Sequence, residues 1–150
     1  MSKLGPYKIL RPLAVGGQAE VLLAERTGPG GFSVRHALKI LNEPLGGSRP
    51  TDVPSARALV AEARLLVRLA HPHTLAIHGL DVIDDRLVMV LEYVGGRSLA
   101  VVLERLARMG RTLPVEHALW ITRSVALALD RAHELADDGG RRLNVIHRDV

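Results

Sequence analysis

The sequence contains no cysteine, which excludes a disulfide framework and a thiolate metal site and agrees with a cytoplasmic setting. Aromatic residues are almost as scarce, with one Trp, one Phe and two Tyr in 150 residues. Proteins that bind nucleic acid cluster their Lys and Arg and supply aromatic side chains for stacking. Here the arginines are scattered, so the net charge of +4 indicates a solvated basic surface. We therefore predict no nucleic-acid partner.

Long apolar runs are also missing. The N-terminal residues lack the hydrophobic stretch of a signal peptide. No stretch approaches the roughly 20 apolar residues that a membrane helix needs. The sequence therefore predicts no membrane segment within residues 1–150, so any membrane anchor would have to follow Val150. The content of 47% hydrophobic and 24% charged residues is that of a folded globular unit.

The first half of the chain has the pattern of β-strands separated by turns. Residues 7–41 predict three strands, with glycine-containing turns at 16–17 and 27–31. Two further strands are predicted at 75–82 and 86–93. The paired glycines at 16–17 form either a simple tight turn or a loop whose bare backbone closes over a phosphate.

One helix is predicted between the third and fourth of these strands, from Ser55 to the His-Pro pair at 71–72. Glu62 lies on its apolar face, where a carboxylate needs a cation because burial penalises an unpaired charge. The alternative is an edge position that reaches solvent. The apolar residues that share this face at spacings of three and four are Ala58, Leu65, Leu66 and Leu69.

The second half of the chain has helical periodicity. The Gly-Gly pair at 95–96 predicts a boundary between domains at 1–94 and 95–150. Ser98 is a candidate N-cap for a helix that ends near Met109.

A longer helix is predicted at 114–136, and it is apolar on nearly all sides. Such a helix expects neighbours around most of its surface, which predicts self-association where they are lacking. A polar loop at 137–144 then leads to a final strand at 145–146, which delivers the His-Arg-Asp triplet at 147–149 into a loop. A carboxylate fixed at the end of a rigid element suits a general base. Taken alone, however, such a triplet more often belongs to a charged surface turn, and only the order of the motifs before it favours the general base.

Three histidines, His71, His73 and His78, are close together in the sequence. They lie across a proline-bounded turn and have no carboxylate or thiolate partner at the spacings of common metal sites. We therefore predict no metal site among these residues.

Taken in order, these features resemble the protein kinase family. The implied fold class is α+β: a five-stranded antiparallel N-lobe with one inserted helix, followed by the first helices of a helical C-lobe that is incomplete. The double glycine and the Glu-Tyr-Val-Gly-Gly run at 92–96 most resemble bacterial Ser/Thr kinases of the eukaryotic type. The matching motifs are the glycine-rich loop at 14–21, the lysine motif at 36–39, the helix glutamate Glu62, the segment between lobes at 91–94 and the catalytic-loop start at 147–149.

The resemblance implies an ATP-dependent protein kinase that phosphorylates Ser or Thr hydroxyls of a protein substrate. It implies ATP and Mg²⁺ as cofactors, with the Mg²⁺ ligands expected beyond residue 150. In the implied catalytic set, Lys39 meets the α- and β-phosphates, Glu62 holds Lys39, and Asp149 accepts the proton of the substrate hydroxyl.

The resemblance also implies which residues bind the nucleotide. The backbone at Ala14, Val15, Gly16 and Gly17 covers the triphosphate. The residues implied for adenine and ribose are Val21 and Ala37 on the two sides of the ring, Leu91 as gatekeeper, the Glu92 carbonyl and Val94 amide at the adenine edge, and Ser98 at the ribose, unless Ser98 only caps its helix.

The sequence departs from the family pattern in two places. Ala14 and Ala19 stand where the pattern has its first and third glycine. If either position requires a positive φ, alanine costs about 1–2 kcal/mol and weakens nucleotide binding. The family's Mg²⁺-binding Asn, Asp-Phe-Gly motif and activation loop would follow Val150, so residues 1–150 alone are expected not to transfer phosphate.

Two other functions remain open at this point. A small-molecule phosphotransferase of related fold is one, although Arg148 favours a protein kinase because such enzymes tend to have glycine there. The other is a non-catalytic nucleotide-binding or interaction remnant. The presence of Lys39, Glu62 and Asp149 argues against that remnant.

Overall fold

The first part of the chain forms an antiparallel sheet with one helix in the computed structural model, which describes residues 2–146. The elements in chain order are β1 (Lys3–Leu4), β2 (Tyr7–Val15), β3 (Ala19–Thr27), β4 (Ser33–Leu41), α1 (Pro54–Arg68), β5 (Ile77–Ile83) and β6 (Arg86–Glu92). The strands are ordered β1-β2-β3-β4-β6-β5, and each neighbouring pair is antiparallel. The prediction of an antiparallel sheet with one inserted helix is confirmed.

The strand count differs from the prediction by one. The five predicted strands correspond to β2 through β6, and β1 is an additional strand paired with the start of β2. Two residues are too few to give a sequence pattern. The short strand forms because Gly5, with a φ of 51°, permits a tight turn between β1 and β2.

Alternate side chains of the central strands enter two separate hydrophobic clusters, as the twofold period of a strand requires. Ala37 and Met89 belong to the cluster that packs on α1. Leu38 and Val88, their neighbours in sequence, belong to the cluster on the other side of the sheet, together with Tyr7. The central strands β4 and β6 are therefore covered on both faces.

Helix α1 begins with Pro54 at its first turn, where the missing proline N–H costs nothing. The predicted apolar face was wrong in part, because Ala58 is exposed. The residues that the helix buries against the sheet are Ala56, Leu59 and Ala63. The buried stripe is thus rotated from the predicted one, and Glu62 lies at its edge.

Two helices follow, α2 (Leu99–Arg108) and α3 (Val115–His133). The Ser98 Oγ accepts a hydrogen bond from the Val101 amide at 3.5 Å, so Ser98 caps α2 as predicted. None of the residues of α2 is buried, and α3 buries only Ser124 and Ala132. Both helices therefore present most of their apolar side chains to solvent.

The chain after α3 differs from the prediction. The helix ends at His133 rather than near Ala136, because Ala136 forms an isolated bridge with Arg142. The predicted final strand was wrong at 145–146, where the backbone is not paired with a neighbouring strand. The His-Arg-Asp triplet at 147–149, including Asp149, lies outside the described residues.

Backbone contacts divide the chain into two units, which we name the sheet unit (residues 1–70 and 75–93) and the helical unit (residues 71–74 and 94–150). Over residues 2–146, none of the helices combines the length and the apolar character that crossing a membrane requires.

Candidate functional site

A lysine on the central strand β4 and a glutamate on α1 form an ion pair. The Lys39 Nζ donates hydrogen bonds to both carboxylate oxygens of Glu62, each at 2.7 Å. The two residues are 23 positions apart in the chain, so the packing of α1 on the sheet brings them together. Glu62 is thus paired with a cation, and it also lies at the exposed edge of the helix, so both interpretations of Glu62 hold in part.

The surroundings of the ion pair show that it positions the Lys39 side chain more than it stabilises the fold. Lys39 lies opposite Val21 of β3 and Met89 of β6, so its backbone is fixed on both sides. The side chains of Lys39 and Glu62 are 29% and 44% exposed. A pair that water reaches to this degree adds about 0–1 kcal/mol to the free energy of unfolding. Its main effect is to hold a positive charge at a defined point above the sheet.

The glycine turn, which we define as residues 16–18 between β2 and β3, lies next to the C-terminal end of β4, the strand that carries Lys39. The Gly16 amide donates to the Ala19 carbonyl at 2.9 Å and closes the hairpin. Among the described residues other than glycine, only Asp84, Asp85 and Asn144 have a positive φ. Ala14 and Ala19 are therefore unstrained, and the cost predicted for a positive φ does not arise at either position.

Sequence reasoning missed Asn42, the first residue after β4. The side-chain amide of Asn42 donates to the Gly16 carbonyl at 3.1 Å and to the Gly17 carbonyl at 3.0 Å. The Asn42 backbone amide donates to the Gln18 carbonyl, also at 3.0 Å. The nearest signal in the sequence is a side chain with two donors three positions after Lys39, but no local pattern indicates its partners.

Asp85, in the turn between β5 and β6, is a second residue whose role no sequence pattern indicated. Its carboxylate accepts hydrogen bonds from the Gly46 and Gly47 amides at 2.9 and 3.1 Å, and its carbonyl accepts one from Leu45 at 2.8 Å. Leu45 is buried in the cluster beneath α1. The segment at 42–54, predicted only as a loop, is thus fixed to the sheet immediately before the helix that carries Glu62. The nearest signal in the sequence was the glycine pair at 46–47 together with the acidic pair at 84–85.

Three of the residues implied for the adenine ring, Val21, Ala37 and Leu91, lie on one face of the sheet, so Val21 and Ala37 are on the same side of a ring placed there and not on its two sides as expected. Ala37 pairs with Leu23 and Leu91, and Val21 pairs with Lys39, so Val21, Ala37, Lys39 and Leu91 share a face. Ala37 and Leu91 are buried and Val21 is partly buried against the same cluster. The structure thus brings together an apolar surface and a cationic side chain.

The remaining candidates are placed differently. Ala14 and Val15 end β2, and the Val15 side chain is 80% exposed. The Glu92 carboxylate accepts a hydrogen bond from the Ala76 amide at 3.0 Å, which ties β6 to the start of β5. Val94 and Ser98 belong to the helical unit, where Val94 is exposed and Ser98 caps α2.

The three histidines considered as metal ligands do not converge. His71 and His73 contact each other edge to face, and His73 also contacts Trp120. His78 instead pairs with His36, with 3.1 Å between their Nδ1 atoms. Residues 2–146 contain no group of three or more His, Cys, Asp or Glu side chains arranged to hold a metal ion.

An antiparallel sheet, a single helix inserted after the strand that carries Lys39, and the Lys39–Glu62 pair together define the nucleotide-binding lobe of a kinase fold. The family model for protein tyrosine and serine/threonine kinases matches residues 7–150, so the chain belongs to the protein kinase family.

Known proteins agree with this family. The chain is 34% identical over 146 residues to the tyrosine-protein kinase MasK of Myxococcus xanthus, with 97% of this chain and 22% of MasK covered. It is 32% identical to the serine/threonine-protein kinase PknE of Mycobacterium tuberculosis, with 99% and 23% covered. It superposes on the crystal structure of the M. tuberculosis PknI kinase domain with a TM-score of 0.64 at 30% identity, covering 99% of this chain and 53% of that one. The chain thus spans about a fifth of the length of these curated relatives.

Proposed function

We propose that this chain is the ATP-binding part of a protein serine/threonine kinase, which transfers phosphate from ATP to a hydroxyl group of a protein substrate. The observation that carries the proposal is the Lys39–Glu62 ion pair at 2.7 Å in a chain of the protein kinase family. Phosphoryl transfer depends on positioning and on neutralising charge. Lys39 supplies the charge for the α- and β-phosphates, and Glu62 fixes where that charge lies.

The roles that we propose for the other residues are those that the family resemblance implies. The backbone of Ala14, Val15, Gly16 and Gly17 covers the triphosphate. The adenine ring lies against the apolar face of the sheet. Its contacts in this proposal are Val21, Ala37 and Leu91, the Glu92 carbonyl, the Val94 amide and, at the ribose, Ser98. Asp149 accepts the proton of the substrate hydroxyl as general base.

Members of this family use ATP together with Mg²⁺. The sheet unit fits ATP, because it offers a cation, backbone donors in the glycine turn and an apolar face. When bound, Mg²⁺ neutralises charge on the β- and γ-phosphates. Its ligands are expected after Val150, so we propose that residues 1–150 taken alone bind nucleotide without transferring phosphate. A location in the cytoplasm, where ATP is available, completes the proposal.

The two relatives are named for different target residues, because PknE is a serine/threonine-protein kinase and MasK a tyrosine-protein kinase. The preference of this chain for Ser and Thr over Tyr is therefore itself a proposal.

The alternative function is a nucleotide-binding or interaction module without catalysis. The exposed apolar side chains of α3, including Leu119 and Trp120, favour this alternative. In the full-length protein, Asp149→Asn abolishes phosphate transfer if the chain is a kinase. The alternative predicts no transfer by either form.

The test is a titration of the 150-residue chain with ATP by calorimetry. Lys39→Met removes the charge that meets the phosphates, and we expect it to weaken ATP binding about 10-fold or more, since a charge-assisted contact is worth roughly 1.5–3 kcal/mol. Lys3→Met makes the same change at an exposed position on β1 and is expected to leave ATP affinity unchanged. A wild-type chain that binds no ATP, or equal affinities for the two variants, would contradict the proposal.

A further inference from the structure

We infer that Asn42 is a positioning residue that fixes the direction of the peptide groups in the glycine turn, and so aims the Gly17 and Gln18 amides for an anionic phosphate. The inference rests on the proposed nucleotide-binding function and identifies the residue that prepares the turn for it. Neither the motif at 14–21 nor the lysine motif at 36–39 includes Asn42.

Asn42 binds three consecutive carbonyl groups. Its two side-chain N–H groups reach the Gly16 and Gly17 oxygens at 3.1 and 3.0 Å, and its backbone N–H reaches the Gln18 oxygen at 3.0 Å. All the carbonyls of the glycine turn are therefore directed towards one residue. A turn this short and this rich in glycine is otherwise free to rotate its peptide planes, because glycine has no side chain to restrict φ and ψ.

The direction of the carbonyls determines the direction of the amides. The described residues contain no cis peptide bond, so each carbonyl points opposite to the N–H of the residue that follows it. The Gly17 and Gln18 N–H groups consequently point away from Asn42. In the described part of the chain neither of them donates a hydrogen bond. Two successive amides without a protein acceptor on an exposed turn are available to an anion.

Asn42 also links the turn to the strand that carries the cation. It directly follows β4 (Ser33–Leu41) and lies three positions after Lys39. The amides of the turn and the ammonium group of Lys39 are therefore fixed by the same strand. Leucine has nearly the shape of asparagine without its donors, so Asn42→Leu would release the Gly16 and Gly17 carbonyls and leave the ion pair in place.

The experiment compares ATP with adenosine, which lacks phosphates, on the wild-type chain and on Asn42→Leu. We expect ATP binding to weaken about 10-fold, the effect of losing one ordinary polar contact, and adenosine binding to change less than twofold. Thr51→Val removes a side-chain donor from the following loop without contact to the turn, and it should change neither affinity. Asn42→Ala also removes both side-chain donors without adding bulk and should give the same loss of ATP affinity, which preserves the test if the leucine variant folds poorly.

A second measurement needs no ligand. We expect backbone ¹⁵N order parameters at Gly17 and Gln18 to fall from about 0.85 in the wild type to below about 0.6 in Asn42→Leu, because the peptide planes become free to rotate. Unchanged order parameters would overturn the inference.

The binding data separate this inference from the proposed function. If the wild type binds ATP and Asn42→Leu binds it equally well, the inference is wrong and the function stands. Equal losses for ATP and adenosine also overturn it, since Asn42 would then support the fold in general. A wild-type chain that binds adenosine and ATP equally, or neither, overturns both.

Discussion

The sheet unit and the helical unit differ in how much apolar surface each buries. The sheet unit contains two clusters of buried residues, one on each face of its central strands. In the described part of the helical unit, the buried residues are only Ser124, Ala132 and Leu135, whereas Leu119 and Trp120 are more than 60% exposed. A sheet covered on both faces is a self-sufficient layered structure, whereas amphipathic helices need a partner surface for their apolar stripe. The candidate ion pair and the glycine turn both belong to the self-sufficient unit.

The largest predicted effect comes from making the same substitution in both units. Leu38→Ala creates a cavity at a fully buried position of β4, and we expect it to lower the free energy of unfolding by about 2–5 kcal/mol. Leu119→Ala at an exposed position of α3 should cost less than about 0.5 kcal/mol. Urea unfolding of both variants measures this difference. Equal losses would show that α3 has a buried core of its own in solution.

A second prediction concerns the apolar surface of the helical unit. We expect the wild-type chain to self-associate through α3, because exposed apolar patches favour association. Leu119→Lys places a charge in this patch and should shift the chain towards monomer in sedimentation velocity. His117→Lys adds a similar charge at an exposed polar position of the same helix and should have little effect. Identical behaviour of the two variants would show that α3 is not the contact.

A third prediction, within the sheet unit, concerns the hydrogen bonds by which Asp85 holds the loop that precedes α1. Asp85→Ala removes two hydrogen bonds to the Gly46 and Gly47 amides. Because Asp85 is exposed, the lost hydrogen bonds should cost about 1 kcal/mol of the free energy of unfolding. Asp85 also has a φ of 61°, where alanine adds about 1–2 kcal/mol of backbone strain. Asp84→Ala, exposed at a φ of 50° in the same turn, carries the strain alone and should therefore cost about 1 kcal/mol less than Asp85→Ala. Thermal unfolding of both variants measures the difference, and equal stabilities would remove Asp85 from the support of α1.

The smallest predicted effect is a pH dependence that arises in the sheet unit. Burial first, and then the charges of His78 and Arg26, lower the pKa of His36 below its usual 6.5. Protons therefore bind the unfolded chain more readily than the folded one, and the free energy of unfolding falls as the pH drops through 6.5 towards the lowered pKa. His36→Gln should remove this dependence, which we expect to be small because solvent screens the ring. His78→Gln should reduce it, and a pH profile unchanged in both variants would contradict the assignment.

Much of the candidate site was predictable from local patterns. The β-prone runs and glycine turns gave the strands of the sheet, and an acidic residue on an apolar helix required a cation, which the structure provides as Lys39. The residues on the shared face of β3, β4 and β6 were implied by the family resemblance, and the alternation of side chains along a strand explains why they share that face. The buried stripe of α1 did not, since Ala58 and Ala56 look alike in a sequence and only the packing of Leu59 and Ala63 on the sheet separates them.

The sequence by itself determined the order of the elements, the position of the glycine turn and the residues available for an ion pair, because these depend on spacings within single elements. Only the tertiary structure decided which polar groups meet. Asn42 reaches the glycine turn across 25 residues and Asp85 reaches Gly46 across 39. Such contacts depend on the register of paired strands and on where a loop crosses the sheet. A hydrogen bond forms only within a few tenths of an ångström of its ideal length, and hydrophobic periodicity does not specify position that closely.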